Sequence, residues 1–153
     1  MKTVRRLLDA HPKTVLTISP STLVTEAMAL MAKHDIGALL VLEGERLAGI
    51  VTERDVARKL AYTESLTGVR VSELMTARVL YVRPDQTVED CMALMTEKHL
   101  RHLPVLEDNR LLGIISIRDV VADLIAEKSF MIEQLENYIY DLPAYSRNSA
   151  GSR

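Results

Sequence analysis

At 153 residues the chain has room for one ordinary domain or for two small units that share a core. Hydrophobic residues make up 48% of the chain and charged residues 26%, which is typical of a globular protein. The net charge is −2 with both signs interspersed, so nucleic-acid binding has little electrostatic support. The lone Cys91 excludes an internal disulfide, and its helix-periodic apolar position predicts a buried thiol.

The distribution of apolar residues bears on localisation. The N-terminal segment has no apolar run of signal-peptide length, and no stretch of about 18 apolar residues occurs anywhere in the chain. We therefore expect a cytoplasmic protein without a membrane partner.

An internal duplication organises the chain. A shift of 64 residues places residues 15–60 on residues 79–124 without a gap, and about 20 of the 46 paired positions are identical. Upstream, residues 4–8 resemble residues 71–75 once three residues are inserted in the first copy. Two copies of this length indicate a duplicated unit and not a solenoid array.

Each copy predicts the order strand, helix, strand, strand, helix, after a short preceding helix. Apolar residues at i, i+3, i+4 and i+7 predict the first long helix of each copy, and Thr87 followed by Asp90 predicts an N-cap in the second copy, where the first copy has Leu23. The predicted elements of the first copy are a strand at 15–18, a helix from Val24, strands at 38–42 and 47–51, and a helix from Thr52. In the second copy the two paired strands lie at 102–106 and 111–116, and the last helix begins at Ser116.

Three regions follow from this pattern. Residues 1–68 form the first repeat with its connector, residues 69–128 the second repeat, and residues 129–153 a C-terminal segment. The last segment is predicted to contain an amphipathic helix over 129–141, followed by a disordered tail. Its apolar side, with Met131 and Leu135, fits either an interface or packing against its own module.

A shared motif closes each repeat. Gly-hydrophobic-hydrophobic-Thr/Ser-x-x-Asp occurs at Gly49–Asp55 and again at Gly113–Asp119. Each motif starts a predicted helix, whose N-terminus has unpaired N–H groups and favours anions. The hydroxyl, the arginine and the aspartate of the motif could then contact a phosphate or the hydroxyls of a ribose. The candidate residues are Thr52, Arg54 and Asp55 in the first motif, and Ser116, Arg118 and Asp119 in the second. The same Ser/Thr and Asp spacing is also a helix-capping device worth about 1 kcal/mol.

The two copies differ where the second strand begins. The first copy has Gly37 and Ala38, which leave room for a flat purine, whereas the second has Arg101 and His102, which offer charge to phosphates. The second cleft is therefore expected to suit an anionic ligand better. The alternative is that Arg101 is a solvated surface charge and His102 a structural histidine.

These motifs and this repeat resemble the cystathionine-β-synthase (CBS) domain family, in which two repeats pair into a Bateman module. The resemblance covers roughly residues 1–128 and is greatest to stand-alone bacterial two-repeat proteins. It implies an α/β fold of the α+β type, packed as one pseudo-twofold module. It also implies that the motif residues contact the ribose and phosphate of an adenosine ligand, and that the strand starts line the adenine slot. Those strand-start residues are Val15, Leu16, Val79 and Leu80.

The resemblance implies a regulatory module that binds AMP, ADP, ATP, NAD(H) or S-adenosylmethionine between its repeats. The nucleotide is then a regulatory ligand and no cofactor is required. The family also implies a homodimer and a separate effector protein. The alternative function is a ligand-free interaction module. An enzyme is disfavoured, because the sequence has no Gly-rich phosphate loop, no nucleophile elbow and no histidine or cysteine spacing typical of a metal site.

Overall fold

The computed structural model describes residues 2–140, and these form two repeats of mixed helix and strand. The first comprises α1 (Val4–Ala10), β1 (Thr17–Ile18), α2 (Val24–His34), β2 (Ala38–Glu43), β3 (Arg46–Thr52) and α3 (Glu53–Leu60). The second comprises a 3-10 turn (Val71–Glu73), α4 (Val88–Lys98), β4 (His102–Glu107), β5 (Arg110–Ser116) and α5 (Ile117–Tyr140). The predicted α+β fold with duplicated repeats is confirmed. The disordered tail predicted from residue 142 lies outside the described residues.

The two antiparallel hairpins share one register. Ala38 lies opposite Thr52 in β2–β3, and His102 lies opposite Ser116 in β4–β5, with the same irregularity after the fourth residue of each first strand. The turn between β4 and β5 has Asp108 at φ 50° and Asn109 at φ 63°, as a type I′ hairpin requires. The start of β2 therefore lies beside Thr52, and the start of β4 beside Ser116, the two residues where the motif helices begin.

The first strand of each repeat is shorter than predicted. The strand expected over 15–18 is reduced to Thr17–Ile18, which pairs in parallel with β2. Its counterpart in the second repeat is only a single bridge between Val82 and Val105. In the first repeat, Leu40 pairs with Thr17. The equivalent residue of the second repeat is Pro104, and proline has no N–H to extend a strand ladder.

Helix caps follow the sequence closely. The Thr87 side chain accepts from the Asp90 N–H and the Asp90 side chain accepts from the Thr87 N–H, so the predicted N-cap of α4 is confirmed. Leu23 gives α2 no side-chain cap. Both helices end in a left-handed residue other than glycine, Asp35 in α2 and His99 in α4.

The leading segments of the two repeats are exchanged. Helix α1 places Val4 and Leu7 in the core of the second repeat, where both are at most 1% exposed. Conversely, the 3-10 turn of the second repeat places Val71 in the core of the first repeat. Buried Cys91 belongs to the second core, and burial, followed by the charge of Asp90, raises the pKa of its thiol to about 11. Each core is thus completed by the leading segment of the other repeat.

Replacing Leu7 by alanine should therefore destabilise the second repeat from outside its sequence. We expect the free energy of unfolding to fall by about 2–5 kcal/mol, since a fully buried leucine is truncated. Urea denaturation measures this, with Leu60→Ala as the control because Leu60 is 47% exposed and should change the free energy by roughly 0.5 kcal/mol or less. Equal effects of the two substitutions would contradict the exchange.

A third cluster joins the two sheets. It has buried Ala38, Leu40 and Ile50 at its centre. Partly buried residues from both repeats pack around these three, namely Val15, Leu47, Val79, Leu111 and Ile114. This shared core holds the two repeats together and so fixes the positions of the two motifs.

Helix α5 differs from the prediction of two separate helices. It runs unbroken over Ile117–Tyr140, because no glycine or proline interrupts this stretch. Its first turns pack on the second core through Val120 and Leu124. Met131 and Leu135 remain 57% and 61% exposed, so packing against its own module is not observed. No helix within residues 2–140 has an apolar stretch long enough to span a membrane.

Candidate functional site: the cleft at the first motif

The first motif forms a capping box at the start of α3. The Asp55 N–H donates to Thr52 Oγ1 at 3.3 Å, and Asp55 Oδ2 accepts from the Thr52 N–H at 2.9 Å and from its hydroxyl at 3.0 Å. The capping role of the motif is thus present. Among the hydrogen bonds of residues 2–140, none engages the second carboxylate oxygen, Asp55 Oδ1, which leaves one acceptor for a ligand.

A cleft of about 420 Å³ opens in front of this helix end. One side is the first motif with Gly37, and the others come from the leading segment of the second repeat and from the end of α4. The lining residues are Gly37, Ile50, Thr52, Glu53, Arg54, Asp55, Arg58, Thr76, Arg78, Val79, Leu80, Lys98, His99, Leu100, Arg101 and His102. Its volume lies within the range of about 300–1,000 Å³ that is usual for small-molecule sites.

Backbone pairing brings the second repeat's leading segment to this cleft. Ile50 and Thr76 exchange two hydrogen bonds, of 3.0 Å and 2.9 Å. A side chain at Gly49 would meet the Thr76 carbonyl oxygen at 2.8 Å, so only glycine permits this approach. The residues that follow, Arg78 to Leu80, then lie along the cleft beside Thr52.

The cleft also receives the end of α4. The Arg54 Nη1 atom donates to the His99 carbonyl oxygen at 3.3 Å, which joins α3 to the other repeat. A side chain at Gly37 would lie 3.7 Å from His102 Cε1, so glycine keeps this part open. Burial, followed by the charges of Lys13 and Arg101, holds the pKa of His102 below its usual value. The lowered pKa favours the neutral form of this side chain at the cleft.

The second motif has the same cap but a different environment. The Ser116 N–H donates to Asp119 Oδ2 at 3.0 Å and the Asp119 N–H donates to Ser116 Oγ at 3.2 Å. Lys13 Nζ lies 2.5 Å from the same Oδ2, and Asp119 is only 8% exposed. Burial alone would raise the pKa of Asp119, but the bonds from Lys13 and the Ser116 N–H hold it below its usual value.

Comparison of the two repeats explains why a lysine lies on Asp119 but not on Asp55. The 64-residue shift places Ala77 at the position equivalent to Lys13, so the first motif receives no lysine. A smaller cavity of about 280 Å³ lies near Lys13 and Gly113, but neither Ser116 nor Asp119 lines it. Of the two motifs, the first is thus the accessible one.

The predicted site residues fall into two groups. The cleft brings together Gly37, Thr52, Arg54, Asp55, Val79, Leu80, Arg101 and His102. Ser116, Arg118 and Asp119 lie outside it, and Ala38, Val15 and Leu16 pack in the hydrophobic clusters. Arg101 and His102, which were expected to serve the second cleft, both line the cleft of the first motif. His102 also lies opposite Ser116 in the β4–β5 hairpin, so it stands between the two motifs.

Sequence reasoning missed several residues of this cleft. Arg58 follows Arg54 by four positions on α3, a helical spacing that could have indicated it. No sequence signal points to Lys98 or Thr76. Thr76 reaches the first motif through the exchanged leading segment, and Lys98 through the packing of the end of α4 on that side. Lys13 was missed for the same reason.

These features define a module of two α/β repeats with a cleft at their junction. The sequence model of the CBS domain family matches residues 8–62 and 71–126, so the chain belongs to this family as a tandem pair. A protein with CBS domains from Burkholderia ambifaria MC40-6 is 50% identical, with a TM-score of 0.79 over 82% of this chain and 95% of that one. Mitochondrial CBSX3 of Arabidopsis thaliana is 37% identical over 122 residues, 76% of this chain and 59% of CBSX3. The chain thus spans less than two thirds of that relative's length.

Two similar structures contain adenosine compounds. CBSX2, solved with AMP, is 27% identical, with a TM-score of 0.69 over 82% of this chain and 98% of CBSX2. The CBS domain pair of MJ0100, solved with 5'-methylthioadenosine and S-adenosyl-L-methionine, is 26% identical, with a TM-score of 0.73 over 84% of this chain and 98% of that one.

Proposed function

We propose that this chain is a regulatory module that binds an adenosine nucleotide in the cleft of the first motif. The observation that carries the proposal is the unengaged carboxylate oxygen of Asp55 at the edge of a cleft of about 420 Å³. A carboxylate in this position can accept hydrogen bonds from the two adjacent hydroxyls of a ribose. The adenosine compounds bound by CBSX2 and MJ0100 support this ligand class.

The remaining parts of the nucleotide have matching surfaces in the same cleft. Val79 and Leu80 offer apolar side chains to a purine, and Gly37 leaves space beside them. Thr52 and the start of α3 favour a negatively charged group. Arg54 lies one residue before Asp55 and can donate to a phosphate.

The proposed role is binding and not catalysis, in a cytoplasmic homodimer that regulates a separate effector protein. A ligand regulates only if its affinity differs between two states of the module. The exposed apolar residues of α5 favour one further function, an interaction module that works without a ligand. These residues are Ile125, Phe130, Met131, Ile132, Leu135 and Tyr138.

Thermal unfolding with and without nucleotide separates these functions. At a free ligand concentration of about 100 times Kd, binding to the folded state adds roughly 2.7 kcal/mol. We expect the unfolding midpoint to rise by about 5–10 °C with at least one adenine nucleotide. An unchanged midpoint with all of them at millimolar concentration would contradict nucleotide binding and favour the interaction module.

A further inference from the structure

The cleft of the first motif carries an excess of positive charge. Five basic side chains line it, namely Arg54, Arg58, Arg78, Lys98 and Arg101, against two carboxylates, Glu53 and Asp55. Among residues 2–140, no ion pair engages any of the four arginines, and only Lys98 approaches a carboxylate, that of Glu97 at 3.6 Å. The cleft therefore gathers cations whose mutual repulsion an anionic ligand would relieve.

This charge is specific to one cleft. The repeat places Ala122 opposite Arg58, Thr14 opposite Arg78 and Gly37 opposite Arg101, so three of the five cations have no basic counterpart. The smaller cavity also has basic residues, but its Arg5 pairs with Glu107 and its Lys13 with Asp119. The unpaired cations are thus concentrated where Asp55 is accessible.

The five cations surround the cleft from three elements. Arg54 and Arg58 lie four positions apart, on one face of α3. Lys98 and Arg101 lie at the end of α4 and just before β4. Arg78 belongs to the segment held by the Ile50–Thr76 pairing. A chain of two or three phosphates presents more acceptor oxygens to these five groups than a single phosphate does.

We infer that the ligand of this cleft is an adenosine polyphosphate, with a diphosphate or longer chain, and neither AMP nor S-adenosylmethionine. The inference rests on the proposed function and narrows its ligand class. Asp55 holds the ribose, and the phosphate chain extends between the arginines of α3 and the basic residues at the end of α4. S-Adenosylmethionine carries a sulfonium cation, which the excess positive charge of the cleft repels.

Calorimetric titration of the full chain with AMP, ADP, ATP and S-adenosylmethionine, without divalent cations, tests this inference. We expect ATP to bind at least about tenfold tighter than AMP, since one charge-assisted hydrogen bond contributes about 1.5–3 kcal/mol. The ATP affinity should also fall more steeply with added salt than the AMP affinity. Equal affinities for AMP and ATP, or tight binding of S-adenosylmethionine, would overturn the polyphosphate inference and leave the proposed nucleotide site standing. Absence of binding by all four would overturn both.

Substitutions locate the effect. Lys98→Gln and Arg58→Gln should each lower the ATP affinity several-fold and the AMP affinity less, so that the ratio of the two affinities shrinks. Arg110→Gln is the matched control, because Arg110 is exposed at the start of β5, outside the cleft. The inference fails if all three variants keep the ATP-to-AMP ratio of the unmodified chain.

Discussion

Replacing Asp55 by alanine is expected to lower the affinity for adenine nucleotides by about 100-fold. In the proposed site the Asp55 carboxylate accepts hydrogen bonds from the two ribose hydroxyls, and hydrogen bonds to a charged group contribute about 1.5–3 kcal/mol each. Losing two such bonds corresponds to roughly two or more powers of ten in Kd. Calorimetric titration of the variant with ATP measures the loss.

The chain offers a matched control for this substitution. Asp90 has the same place in the capping box of α4, with bonds of 3.0 Å and 3.1 Å to Thr87, and it does not line the cleft. Asp55→Ala and Asp90→Ala should each cost about 1 kcal/mol of stability through the lost cap. Only Asp55→Ala should weaken nucleotide binding. If both variants bind ATP alike, Asp55 acts as a helix cap alone.

Replacing Lys13 by alanine is expected to raise the number of bound nucleotides from one to two per chain. Lys13 covers Asp119 from a distance of 2.5 Å, and its removal exposes the second carboxylate to a ribose. The reverse substitution is Ala77→Lys, which places a lysine at the equivalent position of the first repeat. It should weaken binding at Asp55. Calorimetric titration gives the number of nucleotides bound per chain. A Lys13→Ala variant that still binds one nucleotide would contradict the role of Lys13 in blocking Asp119.

The Lys13 substitution also has a pH signature. Because the pKa of Asp119 is lowered in the folded state, it contributes stability above the ordinary carboxyl value of 3.8, and this contribution is lost as pH falls through the folded-state pKa. The variant should therefore be less stable than the unmodified chain at pH 7, and the difference should disappear in acid. A difference in the free energy of unfolding that is constant across this pH range would show that Lys13 acts by packing and not by charge.

Local features were predictable from the sequence because they depend on neighbouring residues. The hairpin β4–β5 and the Thr87 cap follow from apolar periodicity and from short-range hydrogen bonding. The length of α5 was also readable, since no glycine or proline occurs between Ser116 and Tyr140, although two helices were predicted there. The shortness of the first strand in the second repeat was readable in the same way, since Pro104 has no N–H to donate to a parallel neighbour.

The composition of the site was less predictable because it depends on contacts between distant segments. Lys13 and Asp119 are 106 positions apart, and only the exchange of leading segments brings them together. The same exchange places Arg78 at the first motif. The sequence predicted two unequal clefts from Gly37 and Arg101, but it did not indicate that Lys13 lies on Asp119 while the equivalent Ala77 leaves Asp55 without a lysine.

A crystal structure of the full chain grown with ADP would test the central claim most directly. We predict one nucleotide per chain, with its ribose hydroxyls on Asp55, its adenine beside Leu80 and its phosphates among the arginines of α3. A nucleotide seated instead at Ser116 and Asp119, with the cleft of the first motif empty, would contradict the claim.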